Sequence, residues 1–163
     1  MTTAQMDTSP VSTLSELRTD SDRLWQSLMT LAELGATPKG GVNRQALTEL
    51  DRQARDLFIQ WCKAEGCTIR IDAIGNIFAR RAGTDPDAPA VMTGSHIDTQ
   101  PSGGKFDGNF GVLAALEVVR TLNDQEIQTS APMVWMRVSF PPSPMENTET
   151  ESRLCSVRSR LAQ

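Results

Sequence analysis

The feature that most constrains the fold is an order of strand, glycine-rich loop, helix and strand between residues 90 and 138. Residues 90–94 form a short apolar run, typical of a strand that is buried on both faces. A glycine-rich loop follows at 101–108, and residues 132–138 predict a further strand. This order is a βαβ unit, so we predict the α/β class, with a partial sheet flanked by helices. The helix between the two strands is indicated by apolar residues at helical spacing, namely Val112, Leu113, Leu116, Val119 and Leu122.

Two amphipathic helices are predicted before this unit. The first begins at Asp20, and Gly35 is suited to close it. The second begins near Thr48, because Thr48 followed by Asp51 three residues later is typical of a helix N-terminus. Gly66 is expected to end it.

The chain then predicts a β-hairpin and a simple division into segments. Residues 67–71 and 76–81 are the two expected strands, separated by turn-forming residues. Residues 1–19 are rich in Thr and Ser and predict a disordered lead-in. Residues 20–138 are the expected partial catalytic domain, and residues 139–163 predict an irregular or aberrant tail.

Composition excludes several classes of partner. The net charge is −4 and no basic run occurs, so nucleic acid is not expected as a partner. No apolar segment is long enough to cross a membrane, and residues 1–10 lack the pattern of a secretory signal, so we expect a cytoplasmic protein. Cys62, Cys67 and Cys155 form no CxxC pair, and we expect Cys62 and Cys67 to be small buried residues.

The candidate catalytic residues follow the apolar strand. His96 and Asp98 are two apart, so on an extended backbone both side chains point to one face. A histidine that binds a metal through one ring nitrogen usually offers the other to a carboxylate, and Asp98 is placed for that role. Asp107 follows the glycine-rich loop just before the helix, where a carboxylate could bridge two divalent ions.

The same residues have a plainer interpretation. His96 is the only histidine in the chain, and a single histidine is more often structural than a ligand. An HxD pattern alone also arises often by chance. Phosphate binding is not indicated, because the GxxxxGK[ST] pattern is absent, and the Gly108 and Gly111 spacing is too weak to predict dinucleotide binding.

A longer run of sequence decides between these interpretations. Residues 92–108 (MTGSHIDTQPSGGKFDG) resemble the metal-binding signature of the N-carbamoyl-L-amino-acid hydrolase and allantoate amidohydrolase family. Residues 35–44 (GATPKGGVNR) look like the family's early loop, and residues 47–58, 72–80 and 111–124 also match. The family is related to di-zinc aminoacylases and carboxypeptidases, so the resemblance implies the N-terminal portion of a di-metal exopeptidase-like catalytic domain.

The resemblance implies a role for each matched residue. His96 is similar to the family's first metal histidine, and Asp107 to the carboxylate that bridges two divalent ions. Asp98 resembles the acid that orients and polarises His96, and Gly104 and Gly108 match glycines that let the loop pack close to the metals. The implied ions are zinc, manganese, cobalt or nickel, and the implied substrate is a small N-carbamoyl or ureido compound. The resemblance assigns no residue to substrate recognition.

The chain departs from the family after Trp135. The family pattern continues Thr-Asn-Glu-Glu-Gly, whereas residues 136–139 here are Met-Arg-Val-Ser, and no Glu-Glu pair occurs in the chain. We therefore expect a local deletion or frame change near Trp135 and a truncated fragment with negligible turnover. The lid domain that carries the family's homodimer interface is expected to be absent, and the sheet is expected to have an exposed edge.

Two other functions stay open. A non-catalytic α/β interaction module could keep the scaffold and bind a partner through the sheet edge. A co-catalytic metallopeptidase could share the HxD motif, although residues 103–108 and 40–44 favour the carbamoylase type.

Overall fold

The protein is described here by a computed structural model that covers residues 16–137. The predicted tail 139–163 and the first fifteen residues of the predicted lead-in lie outside the described residues. Three helices and four strands are present in that part, in the predicted order. They are α1 (Ser21–Glu33), α2 (Glu49–Ala64), β1 (Thr68–Ile71), β2 (Ile77–Arg81), β3 (Val91–Ser95), α3 (Asn109–Asp124) and β4 (Met133–Arg137).

The first two helices begin where their capping residues predict. The carboxylate of Asp20 accepts a hydrogen bond from the backbone N–H of Arg23 at 2.9 Å. The hydroxyl of Thr48 accepts one from the N–H of Asp51 at 3.3 Å. Each cap satisfies an N–H group that lacks a partner within its helix, which fixes the first turn.

The four strands form one mixed sheet in the order β1-β2-β4-β3. Strands β1 and β2 make the predicted antiparallel hairpin, and β2 pairs antiparallel with β4. Strands β3 and β4 run parallel, with Val91 opposite Met133 and Ser95 opposite Arg137. Helix α3 connects them, so the predicted βαβ unit is confirmed.

One core joins the helices to the sheet. Leu31 of α1, Phe58 of α2, Ile77 of β2 and Leu116 of α3 are fully buried in the same cluster as Trp135 of β4. Alignment of the apolar faces of all three helices on one cluster explains why the helical spacing in the sequence was informative. Cys62 and Cys67 are buried and free, as expected.

Strand β3 corrects one prediction, because it is not buried on both faces. Val91 is 61% exposed, and no residue of the strand is fully buried. Among the described strands β3 pairs with β4 alone and forms an edge of the sheet. An apolar run predicts a strand but does not specify which segment covers it, so the prediction of burial was wrong. The expected exposed edge is present in this part of the chain.

In the described range, no helix has both the length and the apolar character that a bilayer crossing requires.

Candidate active site

The candidate residues lie beyond the carboxyl end of β3, in the segment that leads to α3. Strand β3 ends at Ser95, His96 follows directly, and α3 begins at Asn109. Gly94 allows β3 to lie close to β4, because a Cβ atom there would be 2.6 Å from the carbonyl oxygen of Met136. Open α/β sheets form their ligand clefts at this end of the strands.

The imidazole of His96 has a defined orientation. Its Nδ1 atom lies 3.0 Å from the backbone carbonyl oxygen of Asp98. A carbonyl oxygen can only accept a hydrogen bond, so this contact favours the tautomer that carries its proton on Nδ1. The Nε2 lone pair is therefore available on the opposite side, where it faces the carboxylate of Asp107 at 3.9 Å.

Asp98 contacts the ring in a different way from the one predicted. Its carboxylate Oδ1 is 3.7 Å from Nδ1 of His96, which is an ion-pair distance rather than a hydrogen-bond distance. The backbone carbonyl of the same residue makes the hydrogen bond. Asp98 thus orients His96 mainly through its main chain, while its largely buried carboxylate adds negative charge beside the ring.

Gly108 brings Asp107 close to His96. Its φ is +70°, and a Cβ atom there would lie 2.5 Å from both Nε2 and the carbonyl oxygen of His96. Only glycine fits such a position, because both the backbone conformation and the close contact exclude a side chain. A Cβ atom at Gly104 would have nothing within 4 Å, so close packing is found at Gly108 and not at Gly104.

His96, Asp98 and Asp107 line one open cleft of about 270 Å³. The structure therefore brings all three predicted site residues together. Thr99 and Gln100 complete the lining and were not predicted. The carboxylate of Asp107 is 68% exposed and His96 is 36% exposed, so both can reach a ligand from solvent.

The donor set at this cleft fits part of a metal centre. An imidazole Nε2 and a carboxylate facing each other are ligands that zinc and manganese accept. Within residues 16–137, however, no group of three or more His, Cys, Asp and Glu side chains is arranged to hold one metal ion. His96 and Asp107 could hold an ion only together with ligands supplied from outside this range.

The loop 35–44 is hydrogen-bonded to the segment that lines the cleft. Val42 and Gly103 exchange two backbone hydrogen bonds of 2.9 and 3.0 Å, which join the loop 35–44 to the loop that carries the site. The hydroxyl of Thr99 accepts from the N–H of Arg44 at 2.7 Å, and the N–H of Thr99 donates to the carbonyl of Arg44 at 2.7 Å. Arg44 and Thr99 belong to the matched motifs, but the sequence alone does not reveal this pairing.

Comparison with known proteins relates this geometry to a group of enzymes. No family model matches the chain. The N-carbamoyl-L-amino-acid amidohydrolase of Rhizobium meliloti is 53% identical over 117 residues, which cover 72% of this chain and 28% of the relative. A hydantoinase/carbamoylase family amidase from Burkholderia ambifaria, known from its crystal structure, superimposes with a TM-score of 0.73 at 58% identity. The chain is a homologue of the hydantoinase/carbamoylase amidases over part of their length.

A relative with a different name is similar over a comparable part of the chain. The ureidoglycolate hydrolase of Arabidopsis thaliana is 40% identical over 108 residues, which cover 66% of this chain and 23% of the relative. The Burkholderia structure matches 74% of this chain and 30% of its own. The chain thus spans less than a third of the length of each of these three relatives, and the resemblance read from the motifs is confirmed.

Proposed function

We propose that the chain contributes one part of a metal-dependent hydrolase site that acts on linear amide or amidine C–N bonds. The observation that carries this proposal is the placement of His96 and Asp107. Nε2 of His96 faces the carboxylate of Asp107 at 3.9 Å across an open cleft at the carboxyl end of β3. The similarity to proteins named amidohydrolases supports the same chemistry.

The roles of the chain's own residues follow from their contacts. The Asp98 carbonyl holds the proton of His96 on Nδ1, which leaves Nε2 free to donate electron density into the cleft. The carboxylate of Asp107 lies on the other side of the opening, 3.9 Å from Nε2. Both side chains already line the cleft and are open to solvent, so a cation could contact both of them.

Two divalent ions fit this arrangement as the proposed cofactors, with His96 and Asp107 as two of their ligands. The chemistry they supply when bound is Lewis-acid polarisation of the scissile carbonyl and a lowered pKa for water. Asp98 acts through His96, because its carbonyl fixes the ring and its carboxylate stabilises positive charge near Nδ1.

The proposed substrates are small N-carbamoyl or ureido compounds. N-carbamoyl amino acids and ureidoglycolate, which give the relatives their names, both contain a carbon bonded to two nitrogens and one oxygen. Gln100 is exposed at the wall of the cleft, and its side-chain amide, with both donor and acceptor groups, is suited to such a unit. We further propose that this chain alone has negligible turnover, since the described part holds too few ligands to close a catalytic metal site.

Zinc binding is the direct test. We expect isothermal titration to give a zinc dissociation constant in the micromolar range or weaker, and His96→Gln to abolish the heat of binding. Asp87→Asn is the matched control, because Asp87 lies in the 83–89 loop outside the cleft lining. Unchanged binding in His96→Gln would contradict the assignment of the site, and submicromolar affinity in the wild type would contradict an incomplete one.

Activity assays then separate the remaining functions. Added zinc or manganese is expected to give no measurable hydrolysis of N-carbamoyl amino acids, allantoate or dipeptides by the chain alone. Hydrolysis of carbamoyl substrates would overturn the proposed inactivity but support the reaction type. Hydrolysis of dipeptides only would favour the metallopeptidase, and absence of both metal binding and activity would favour the non-catalytic module.

A further inference from the structure

Arg44 is a fully buried arginine that lies behind the candidate site. Its relative exposure is 0%, although arginine is rarely buried to this degree. The guanidinium donates hydrogen bonds to acceptors in three parts of the fold: the C-terminal end of α1 with its capping residue, the loop after β3, and the start of α3. These acceptors are the carbonyl oxygens of Leu31, Leu34 and Ile97 and the side-chain oxygen of Asn109.

The contact with Ile97 bears directly on His96. Ile97 lies between His96 and Asp98, and its carbonyl oxygen accepts from both Nε and Nη2 of Arg44, at 2.9 and 2.8 Å. This paired contact fixes the peptide that immediately precedes Asp98. The Asp98 carbonyl, which accepts from Nδ1 of His96, is therefore aimed by a backbone segment that Arg44 holds.

The contact with Asn109 bears on Asp107. Nη2 of Arg44 donates to Oδ1 of Asn109 at 3.2 Å, and Nδ2 of Asn109 donates to the carbonyl of Lys105 at 3.0 Å. Lys105 and Asn109 stand on either side of Asp107 in the chain. The segment that presents Asp107 is thus tied to the same guanidinium as the segment that presents His96.

We propose that Arg44 is a positioning residue that sets the tautomer of His96 and the separation of His96 from Asp107. This inference rests on the proposed function only for its link to metal binding. A planar guanidinium with five N–H groups can serve acceptors that lie in several directions in one plane. A lysine has one compact ammonium group and cannot make the paired contact with Ile97 and reach Asn109 as well, so Arg44→Lys should release one side of the site.

Nuclear magnetic resonance of the imidazole nitrogens tests this in the whole chain. His96 is the only histidine, so its two ring nitrogens give unambiguous signals. In the wild type we expect the proton on Nδ1. In Arg44→Lys we expect a mixture with the Nε2–H form and a zinc affinity, followed through the same signals, that is lower by roughly 10- to 100-fold.

Arg120→Lys is the matched control. Arg120 is also a buried arginine that joins elements, but its partners Ser27, Glu65 and Glu117 all lie outside residues 96–109. A general loss of stability should affect both variants, whereas the tautomer and the zinc affinity should change in Arg44→Lys alone. Equal changes in both variants, an unchanged tautomer in Arg44→Lys, or an Nε2–H form in the wild type would overturn the proposal.

Asn109→Ala covers the case in which Arg44→Lys does not fold. It removes the link towards Asp107 but keeps the contact with Ile97, so the tautomer should stay on Nδ1 while zinc affinity falls. A tautomer change in Asn109→Ala, or full zinc affinity, would contradict the proposed division of roles. If zinc does not shift the His96 signals of the wild type, the proposed function fails, while the tautomer comparison still decides the role of Arg44.

Discussion

Gly108 is the residue whose replacement should be most informative about the site. Its φ of +70° is unfavourable for any other residue, and an added Cβ atom would meet backbone and ring atoms of His96 at 2.5 Å. We expect Gly108→Ala to lower the free energy of unfolding by about 2 kcal/mol, as backbone strain of this kind does. It should also separate His96 from Asp107 and weaken zinc binding, measured by urea unfolding and calorimetric titration.

Substitutions at two other glycines distinguish the effect of backbone strain from that of a steric clash with His96. Gly40 has a φ of +83° but open space around its Cβ position, so Gly40→Ala should carry the strain without displacing His96. Gly104 also has open space there, and Gly104→Ala should leave zinc binding intact. If all three variants bind zinc equally, close packing at Gly108 does not shape the site.

The buried thiols of Cys62 and Cys67 should make the free energy of unfolding depend on pH. Burial raises the pKa of Cys62 from 9.0 to about 12 and that of Cys67 to about 11. Because the folded-state pKa of each thiol lies above its unfolded value, the folded chain binds these protons more tightly. The stability that this contributes is fully present below about pH 9 and is lost as the pH rises towards 12. Urea unfolding should show a loss of about 1 kcal/mol per thiol by pH 10. In Cys62→Ala this loss should be smaller, and an identical loss would contradict the assignment.

Between elements, Glu117 of α3 is the main polar link to α1. Its side chain is 1% exposed and accepts three hydrogen bonds from Nε and Nη2 of Arg23, at 2.7, 3.0 and 3.1 Å. It also accepts one from the backbone N–H of Asp20. The carboxylates of Glu117 and Asp124 raise the pKa of Arg23, so this guanidinium stays charged. The link anchors the start of α1 on the helix that begins at the site.

Glu117→Ala should therefore be strongly destabilising. Removing one partner of a buried pair costs about 3 kcal/mol, and the partial exposure of Arg23 brings the expected loss to about 2 kcal/mol. The comparison is Glu49→Ala, which breaks a solvent-exposed pair with Arg52 on α2 and should change stability far less. Chemical denaturation of both variants gives the answer, and similar losses would show that burial of the pair is unimportant.

The sequence was a good guide to elements and a poorer guide to their surroundings. Capping by Asp20 and Thr48 and helical spacing in α1, α2 and α3 are local signals, so they predicted element positions closely. The burial of β3 depends on sheet order and on what packs over the edge, which no local pattern contains. For that reason the strand was found and its exposure was not.

The site shows the same division. Motif likeness singled out His96 and Asp107, and the structure places them face to face. The motif could not show that the main-chain carbonyl of Asp98, rather than its carboxylate, makes the hydrogen bond to the imidazole of His96. The sequence placed Arg44 in a matched loop but gave no sign of its role, because its hydrogen-bond partners Ile97 and Asn109 are distant in sequence and meet it only after folding.

At the scale of the molecule, β3 predicts behaviour in solution, because within residues 16–137 it pairs with β4 alone and leaves one edge of the sheet without a partner strand. Val91 is 61% exposed, and Val118 of α3 is 39% exposed beside the same apolar groove. Unpaired strand edges of this kind favour association between chains. We expect concentration-dependent self-association by sedimentation velocity, and Val91→Lys should reduce it. Leu47→Lys changes a loop residue that is 87% exposed and should have little effect, so an equal reduction in both would implicate general hydrophobicity instead.

The bridge between Val42 and Gly103 gives the cleft a property of its own. Because these loops are already joined through their main chains, the entropy of ordering them is lost during folding and not when a ligand arrives. The amide hydrogens of Val42 and Gly103 should accordingly exchange slowly with deuterium in the chain without any ion. The cleft would then bind its ligand without first having to order these two loops.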